Sequence, residues 1–294
     1  MGPTSSESGT GQPLRGTQVL VTRSPERSTG LVAALEAAGA TALVLPLIDF
    51  ERAADQHALE VACDGLGAGA FEWLVVSSAT TVHVLVAQAV DRGLSLGAWL
   101  PAATRVAAIG PATRRLLEAN GVTVTLVPAR EQSAAGLLEV WPGGTGPVLL
   151  PQADIAASRL ADGLAASGSN VTAVTAYRTV DFPAAPERRL AIAAEPGTPQ
   201  PRLVSAATAA AGMSAGTIHA VVAASPSAVR RLAVLFPLQA CRLIAIGTST
   251  ADQAAELGWP AAAVATDPTP AGLVEALTGS IGPGHEPGLA AAPP

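Results

Sequence analysis

The chain has 294 residues, 49% of them apolar and 14% charged, with a formal net charge of −6. That length accommodates two modest domains or one large one, and the composition excludes a disordered chain or a nucleic-acid-coating one. Two cysteines, Cys63 and Cys241, form no disulfide framework and suit a reducing cytoplasm.

Residues 1–16 are rich in Gly, Ser, Thr and Pro, lack the apolar run of a secretory signal, and read as a disordered tail. Short apolar runs then alternate with helical patterns. VLVT, WLVVSS, RVAAIG, VTLVP, PVLLP, AVVAAS, RLIAIG and AAAVAT are the strand candidates, and continuous apolar runs suit parallel strands buried on both faces. Helices over 28–38, 112–120 and 158–167 fill gaps between them, ending at Gly39, Gly121 and Gly168. Residues 182–201, rich in proline, read as a surface excursion. Residues 203–229 carry no charge apart from His219 but hold too few strongly apolar residues for a membrane span. Residues 279–294 read as a second tail.

The chain also repeats itself. VLVTRSPERSTGLVAALEAAGATALVLPLI, from Val19, runs without a gap beside VLLPQADIAASRLADGLAASGSNVTAVTAY, from Val148, so that Gly39 falls on Gly168. WLVVSSATTVHVL recurs as AVVAASPSAVRRL, RVAAIGPATRRL as RLIAIGTSTADQA, and PAREQSAAGLLEVW as ATDPTPAGLVEAL. Repeats in one order predict two similar α/β halves, doubly wound around parallel sheets, with a ligand between them. Residues 41–51 and 171–181 hold matching positions and are rich in β formers, which predicts two connector strands running side by side. On this reading 52–170 form one domain, and 17–40 with 182–278 form the other.

All 17 basic residues are arginines, so a Schiff-base or Walker lysine is excluded, and an anionic ligand must be held by guanidinium groups, hydroxyls and amides. Two motifs are decoys. GLGAGA at 65–70 and GMSAG at 212–216 each precede a strand, whereas a dinucleotide fingerprint or a nucleophile elbow must follow one. His57, His83 and His285 show no metal-ligand spacing with the cysteines. The stronger signals lie where strands end and helices begin: SSATT (77–81), IGPAT (109–113), ASPSA (224–228) and IGTST (246–250). Ser and Thr there serve as ordinary N-caps, and the same junctions favour anions.

Taken together, VTRSPERSTGLVAALEAAGATALVLPLI, WLVVSSATTV, AAIGPATRRLLEANG, LVP followed by SAAGLL, TAYRTV, ASPSAV, IAIGTST and PTPAGLVEAL resemble the uroporphyrinogen-III synthase family from 14 to 277. The resemblance implies two α/β domains joined by a two-stranded connector. It implies closure of hydroxymethylbilane, a linear tetrapyrrole polycarboxylate, with inversion of the last pyrrole ring, loss of water and no cofactor or metal. It further implies a cytoplasmic monomer in tetrapyrrole biosynthesis, receiving its substrate from hydroxymethylbilane synthase, with no nucleic acid or membrane partner. By that resemblance Tyr177 assists departure of the hydroxyl, and Arg23, Ser78, Thr113, Ser225, Arg242, Ser249 and Thr250 bind substrate. The chain departs from the pattern at Thr248, where proline is common, and at Ala224, where a hydroxyl residue is usual. A rival from another class is a two-domain, non-catalytic small-molecule binding or sensor protein. Tyr177, the only tyrosine, separates the two, because a pure binder has no need of it.

Overall fold

The computed structural model describes residues 12–144, 146–191, 201–236 and 241–281. The first crossover sets the pattern. β1 (Gln18–Val21) leads into α1 (Pro25–Ala37), with proline in its first turn, and β2 (Thr41–Val44) returns parallel to β1. Between them Gly39 adopts φ 90°, and a Cβ there would stand 2.8 Å from the Gln12 Cβ, so glycine alone fits. In chain order there follow β3 (Ile48–Arg52), α2 (Gln56–Gly67), β4 (Trp73–Val76), α3 (Ala79–Asp91), α4 (Leu96–Trp99), β5 (Arg105–Ala108) and α5 (Pro111–Ala119). Next come α6 (Ala134–Glu139), β6 (Pro147–Ala153), α7 (Arg159–Ala166) and β7 (Asn170–Asp181). The last elements are α8 (Ala206–Ser214), β8 (Ala220–Ala223), α9 (Pro226–Leu235), β9 (Arg242–Ala245), α10 (Thr248–Glu256), β10 (Ala263–Val264) and α11 (Pro270–Ile281).

These elements form two compact units, one of Met1–Ile48 with Ala193–Pro294 and the other of Asp49–Ile192. In the first, the strands lie in the order β10-β9-β8-β1-β2, every neighbouring pair parallel. Alternate residues face opposite cores. Leu20, Val221 and Leu243 pack with Met213, Leu232 and Trp259, while Val19, Val21, Val222 and Ile244 pack with Leu31, Leu35, Leu273 and Leu277. Both faces of the sheet are covered, which is why these strands read as unbroken apolar runs.

The second unit repeats that plan. Its sheet runs β3-β7-β6-β4-β5, and the repeated segments map β9, β8, β1 and β2 onto β5, β4, β6 and β7 in the same spatial order. Gly168, which the repeat sets opposite Gly39, has φ 94°. Trp73, Val75, Val148 and Leu150 pack with Leu137, Trp141, Leu160 and Leu164 on one face. VTLVP supplies a single bridge, Leu126 to Ala107, where its repeat partner forms β10.

The expected boundaries need correction. Residues 41–44 are a strand of the first sheet, bonded to β1, and not a connector. β3 and β7 do lie side by side, but both belong to the second sheet, where β7 pairs with β6 from Asn170 to Tyr177. Residues 182–191 also belong to the second unit rather than the first. Two buried carboxylates on β3 hold them there. Asp49 accepts from the Ala184 N–H at 3.1 Å and pairs with Arg189 at 2.9 Å; Glu51 accepts from the Ala185 N–H at 3.2 Å and pairs with Arg178 at 3.3 Å and Arg188 at 3.4 Å. Leu190 donates its N–H to the Phe50 carbonyl, extending the attachment along the backbone. The tails are also shorter than expected. Leu14 is fully buried, its N–H bonded to the Ala38 carbonyl, and α11 continues through 279–281; 1–11 and 282–294 lie outside the described residues.

Replacing Glu51 by alanine leaves an arginine pair without its carboxylate and a backbone N–H without its acceptor. Because the arginines are half exposed, the expected loss is about 1.5–3 kcal/mol, read from the urea midpoint. An unchanged midpoint would contradict this attachment.

Candidate active site

Strand register in the second unit decides which side chains meet. β4 and β5 pair from Trp73↔Arg105 to Val76↔Ala108, β4 meets β6 at Trp73↔Val148, and β6 meets β7 from Pro147↔Asn170. Continued past Val76, this register brings Ser78 level with Ala153. The β6–β7 pairing slips between Gln152 and Ala153, so the partner of Ala153 is Tyr177 and Ala176 is the extra residue. Bulges of this kind re-aim side chains beside functional sites. Here the slip sets Tyr177 opposite the carboxyl end of β6, two strands from Ser78.

The phenol is held at several points. Its ring is buried and meets Phe50 edge-on, with centroids 5.4 Å apart. Its hydroxyl lies 3.1 Å from Ser78 Oγ. Its own carbonyl accepts the Asp154 N–H at 3.0 Å. Ser78 is the N-cap of α3, accepting the Thr81 N–H at 3.1 Å and lying 3.0 Å from Thr81 Oγ1. The neighbouring strand β5 leads through Gly110 into α5, which carries Thr113 buried in its first turn. Ser78 and Tyr177 are therefore in direct contact, with Thr113 on the next strand–helix junction at the same edge of the sheet.

The first unit builds a second junction cluster. Val21 pairs with Val222 and Ala223 with Ala245, so Arg23 after β1, Ser225 after β8, and Ser249 and Thr250 in the first turn of α10 all lie at the carboxyl edge of that sheet. Ser225 caps α9 by accepting the Ala228 N–H at 3.2 Å, and Thr250 is buried. Burial, with Arg27 beside it, pulls the Arg23 guanidinium down to about 10, still cationic at neutral pH. Among the described residues no carboxylate pairs with it. Unpaired guanidinium, hydroxyls and first-turn amides on one edge suit a carboxylate ligand.

Arg242 does not join this cluster. It opens β9 and pairs with Ala220, which pairs with Val19, so it lies at the amino edge of the sheet, opposite Arg23. Its repeat counterpart Arg105 lies at the amino end of β5, where it pairs with Glu72 and stacks on Trp73 at 4.2 Å. Both arginines sit where strands begin, so Arg242 stands apart from the other residues expected to bind substrate.

Sequence reading overlooked Thr81, Phe50 and Asp154. The Ser-x-x-Thr spacing of SSATT was a usable signal for Thr81; no local pattern announces the other two. The decoys are accounted for: GLGAGA holds the end of α2 and a turn with Gly69 at φ 79°, and GMSAG holds the end of α8. His219 accepts the Gln18 N–H through Nδ1 at 3.0 Å, at the amino edge. Burial pushes the Cys63 thiol up to about 11 and the Cys241 thiol up to about 12, so neither is a thiolate at neutral pH. Among the described residues no group of three His, Cys, Asp or Glu side chains is placed to hold a metal, and no helix is long and apolar enough to cross a membrane.

The depressed Arg23 value has a sign that can be tested. The folded state resists the charged form, so the cation costs folding free energy at every pH below about 10, and the cost fades as pH rises above that. Arg23→Met keeps the apolar stem and removes the charge. Its thermal midpoint at neutral pH should equal or exceed that of the wild type; a clear drop would make Arg23 a structural residue.

Comparison with known proteins agrees with this fold. The family model described as "Uroporphyrinogen-III synthase HemD" matches residues 29–275. A uroporphyrinogen-III synthase from Synechococcus elongatus is 26% identical over 171 residues, 57% of this chain and 62% of that protein, so the chain spans about three fifths of this relative. A mutant uroporphyrinogen III synthase of Thermus thermophilus superposes with a TM-score of 0.62 at 18% identity, covering 90% of this chain and 98% of the other. The uroporphyrinogen-III synthetase of Helicobacter pylori gives 0.51 at 15%, covering 90% and 100%. The solved structures share the fold, and the family model takes in most of the sequence. The chain belongs to the uroporphyrinogen-III synthase family.

Proposed function

We propose that the protein closes hydroxymethylbilane to uroporphyrinogen III, inverting the last pyrrole ring and eliminating water. The observation that carries this reading is the only tyrosine of the chain, buried at the carboxyl edge of a parallel sheet with its hydroxyl on the N-cap of α3. A phenol with an ordinary pKa of about 10 is protonated at neutral pH and can donate to a departing hydroxyl. As the carbon–oxygen bond breaks, the phenolic proton joins the leaving oxygen, water departs, and the pyrrole nitrogen supplies the electrons that leave an electrophilic azafulvene. Attack by the substituted carbon of the last ring then gives a spiro intermediate. Its rearrangement and proton loss yield the inverted macrocycle and return a proton to the phenolate.

That azafulvene also cyclises unaided, to the uninverted isomer. The protein's main task is therefore to hold one bent conformation. Arg23, Ser225, Ser249 and Thr250 in one unit, and Thr113 in the other, are the residues we assign to the acetate and propionate groups. With a net charge of −6 and an octacarboxylate substrate, attraction must be local to these groups rather than long-range. The same reading makes the protein a water-eliminating lyase of tetrapyrrole biosynthesis, acting as a cytoplasmic monomer and taking its substrate from hydroxymethylbilane synthase.

A coupled assay starting from porphobilinogen, with the porphyrin isomers separated after oxidation, tests this directly. The wild type should give mainly isomer III; isomer I alone would favour the non-catalytic binding protein. Tyr177→Phe keeps the ring and should slow formation of isomer III by ~10-fold or more, at or below the ~10²–10⁴ range usual for acid–base groups, because the hydroxyl can leave unassisted. The fraction of isomer I should rise. Wild-type rate and ratio in a folded Phe variant would remove Tyr177 from the mechanism.

A further inference from the structure

We infer that Ser78 and Thr81 are positioning residues for Tyr177, forming a hydroxyl relay that delivers a hydrogen bond to the phenolic oxygen as its proton leaves. This rests on Tyr177 being the proton donor and gives Ser78 a role other than contact with substrate.

A serine hydroxyl has one proton to donate and two lone pairs. Three partners lie about Ser78 Oγ: the Thr81 N–H at 3.1 Å, Thr81 Oγ1 at 3.0 Å and the Tyr177 hydroxyl at 3.1 Å. The backbone N–H can only donate, which occupies one lone pair. The remaining lone pair and the proton are divided between the other two partners. Either Tyr177 donates to Ser78 and Ser78 to Thr81, or Thr81 donates to Ser78 and Ser78 to Tyr177. Only the second arrangement directs the phenolic proton away from Ser78 and toward a leaving hydroxyl. When that proton transfers, the phenolate already holds the Ser78 O–H, and it lies beside the positive end of the 13-residue helix α3. Thr81 is fully buried, so water does not compete for its hydroxyl. Once the cyclised product sheds its proton to the phenolate, the relay returns to its starting state without net change.

Capping alone produces the Ser–Thr pair; the contact with the Tyr177 hydroxyl is what sets Ser78 apart. Ser205 and Thr208 repeat the same pair at the start of α8, with the Thr208 N–H 3.1 Å from Ser205 Oγ and the two hydroxyls 2.9 Å apart, at an exposed site. Ser205→Ala is therefore the control for loss of a cap.

Because the chain has one tyrosine, protein labelled with [13Cζ]tyrosine gives a single resonance that reports the bonding of Tyr177. Ser78→Ala should move that resonance, lower kcat about 3–10-fold with KM near the wild-type value, and raise the fraction of isomer I. Ser78→Thr, which keeps the hydroxyl, should restore kcat and the resonance. Ser205→Ala should lower the thermal midpoint and leave kcat unchanged. Thr81→Val preserves the cap acceptor and should give a smaller kcat loss in the same direction; it carries the test if Ser78→Ala does not fold. Wild-type kcat and resonance in folded Ser78→Ala, or in Thr81→Val if the former is unfolded, would overturn the relay. A wild-type rate in Tyr177→Phe would instead overturn the assignment of Tyr177 on which it rests, even where the resonance still moves in Ser78→Ala.

Discussion

Parallel strand pairing is the constraint from which the remaining structure follows. Where neighbouring strands run one way, each must be reached by a crossover, and each crossover places a strand end and a helix start at the same edge. In the first unit that edge gathers Arg23, Ser225 and the first turn of α10 from residues more than two hundred positions apart in sequence. In the second it gathers Ser78, Thr113 and Tyr177. Residues at the opposite edge, such as Arg105, Arg242 and His219, carry chemically capable side chains but have structural partners or lie away from the cluster.

At such edges stability and function draw on the same groups. Ser78 and Ser225 satisfy amides that the helix leaves unpaired, and they do so whether or not a ligand is present. Arg23 is different, because burying a guanidinium with no carboxylate partner among the described residues works against folding. Tyr177 combines the two situations: its ring contributes to the core against Phe50, and its hydroxyl reaches the cap of a neighbouring helix. Asp49 and Glu51, on the strand that carries Phe50, anchor the segment after β7.

Much of this was legible in the sequence, for identifiable reasons. Apolar runs such as VLVT and RLIAIG are continuous because both faces of each sheet are covered, and the glycines after the helices sit at positive φ. The internal repeat carried the shared strand order. The unit boundaries were less legible because β-rich stretches at 41–51 and 171–181 look alike, whereas their partners, β1 for one and β6 for the other, are set by pairing across the chain. The placement of 182–191 depends on Asp49 and Glu51 meeting Arg178, Arg188 and Arg189, a long-range match that no local pattern encodes. At the site, Ser78 and Tyr177 were recognisable by resemblance, but their contact depends on a one-residue slip at Ala153 that alternation alone does not reveal. Arg242 entered by resemblance alone, although a residue that opens an apolar run stands at the amino end of its strand.

The central claim is that ligand is bound at the carboxyl edge of both sheets and not at the amino edge. Amide hydrogen exchange, with and without uroporphyrinogen III under anaerobic conditions, tests it most directly. The account predicts added protection at 22–24, 110–113, 225–228 and 247–250, with no change at 104–105 and 241–242. Protection at 104–105 and 241–242, with the strand–helix junctions unaffected, would contradict it.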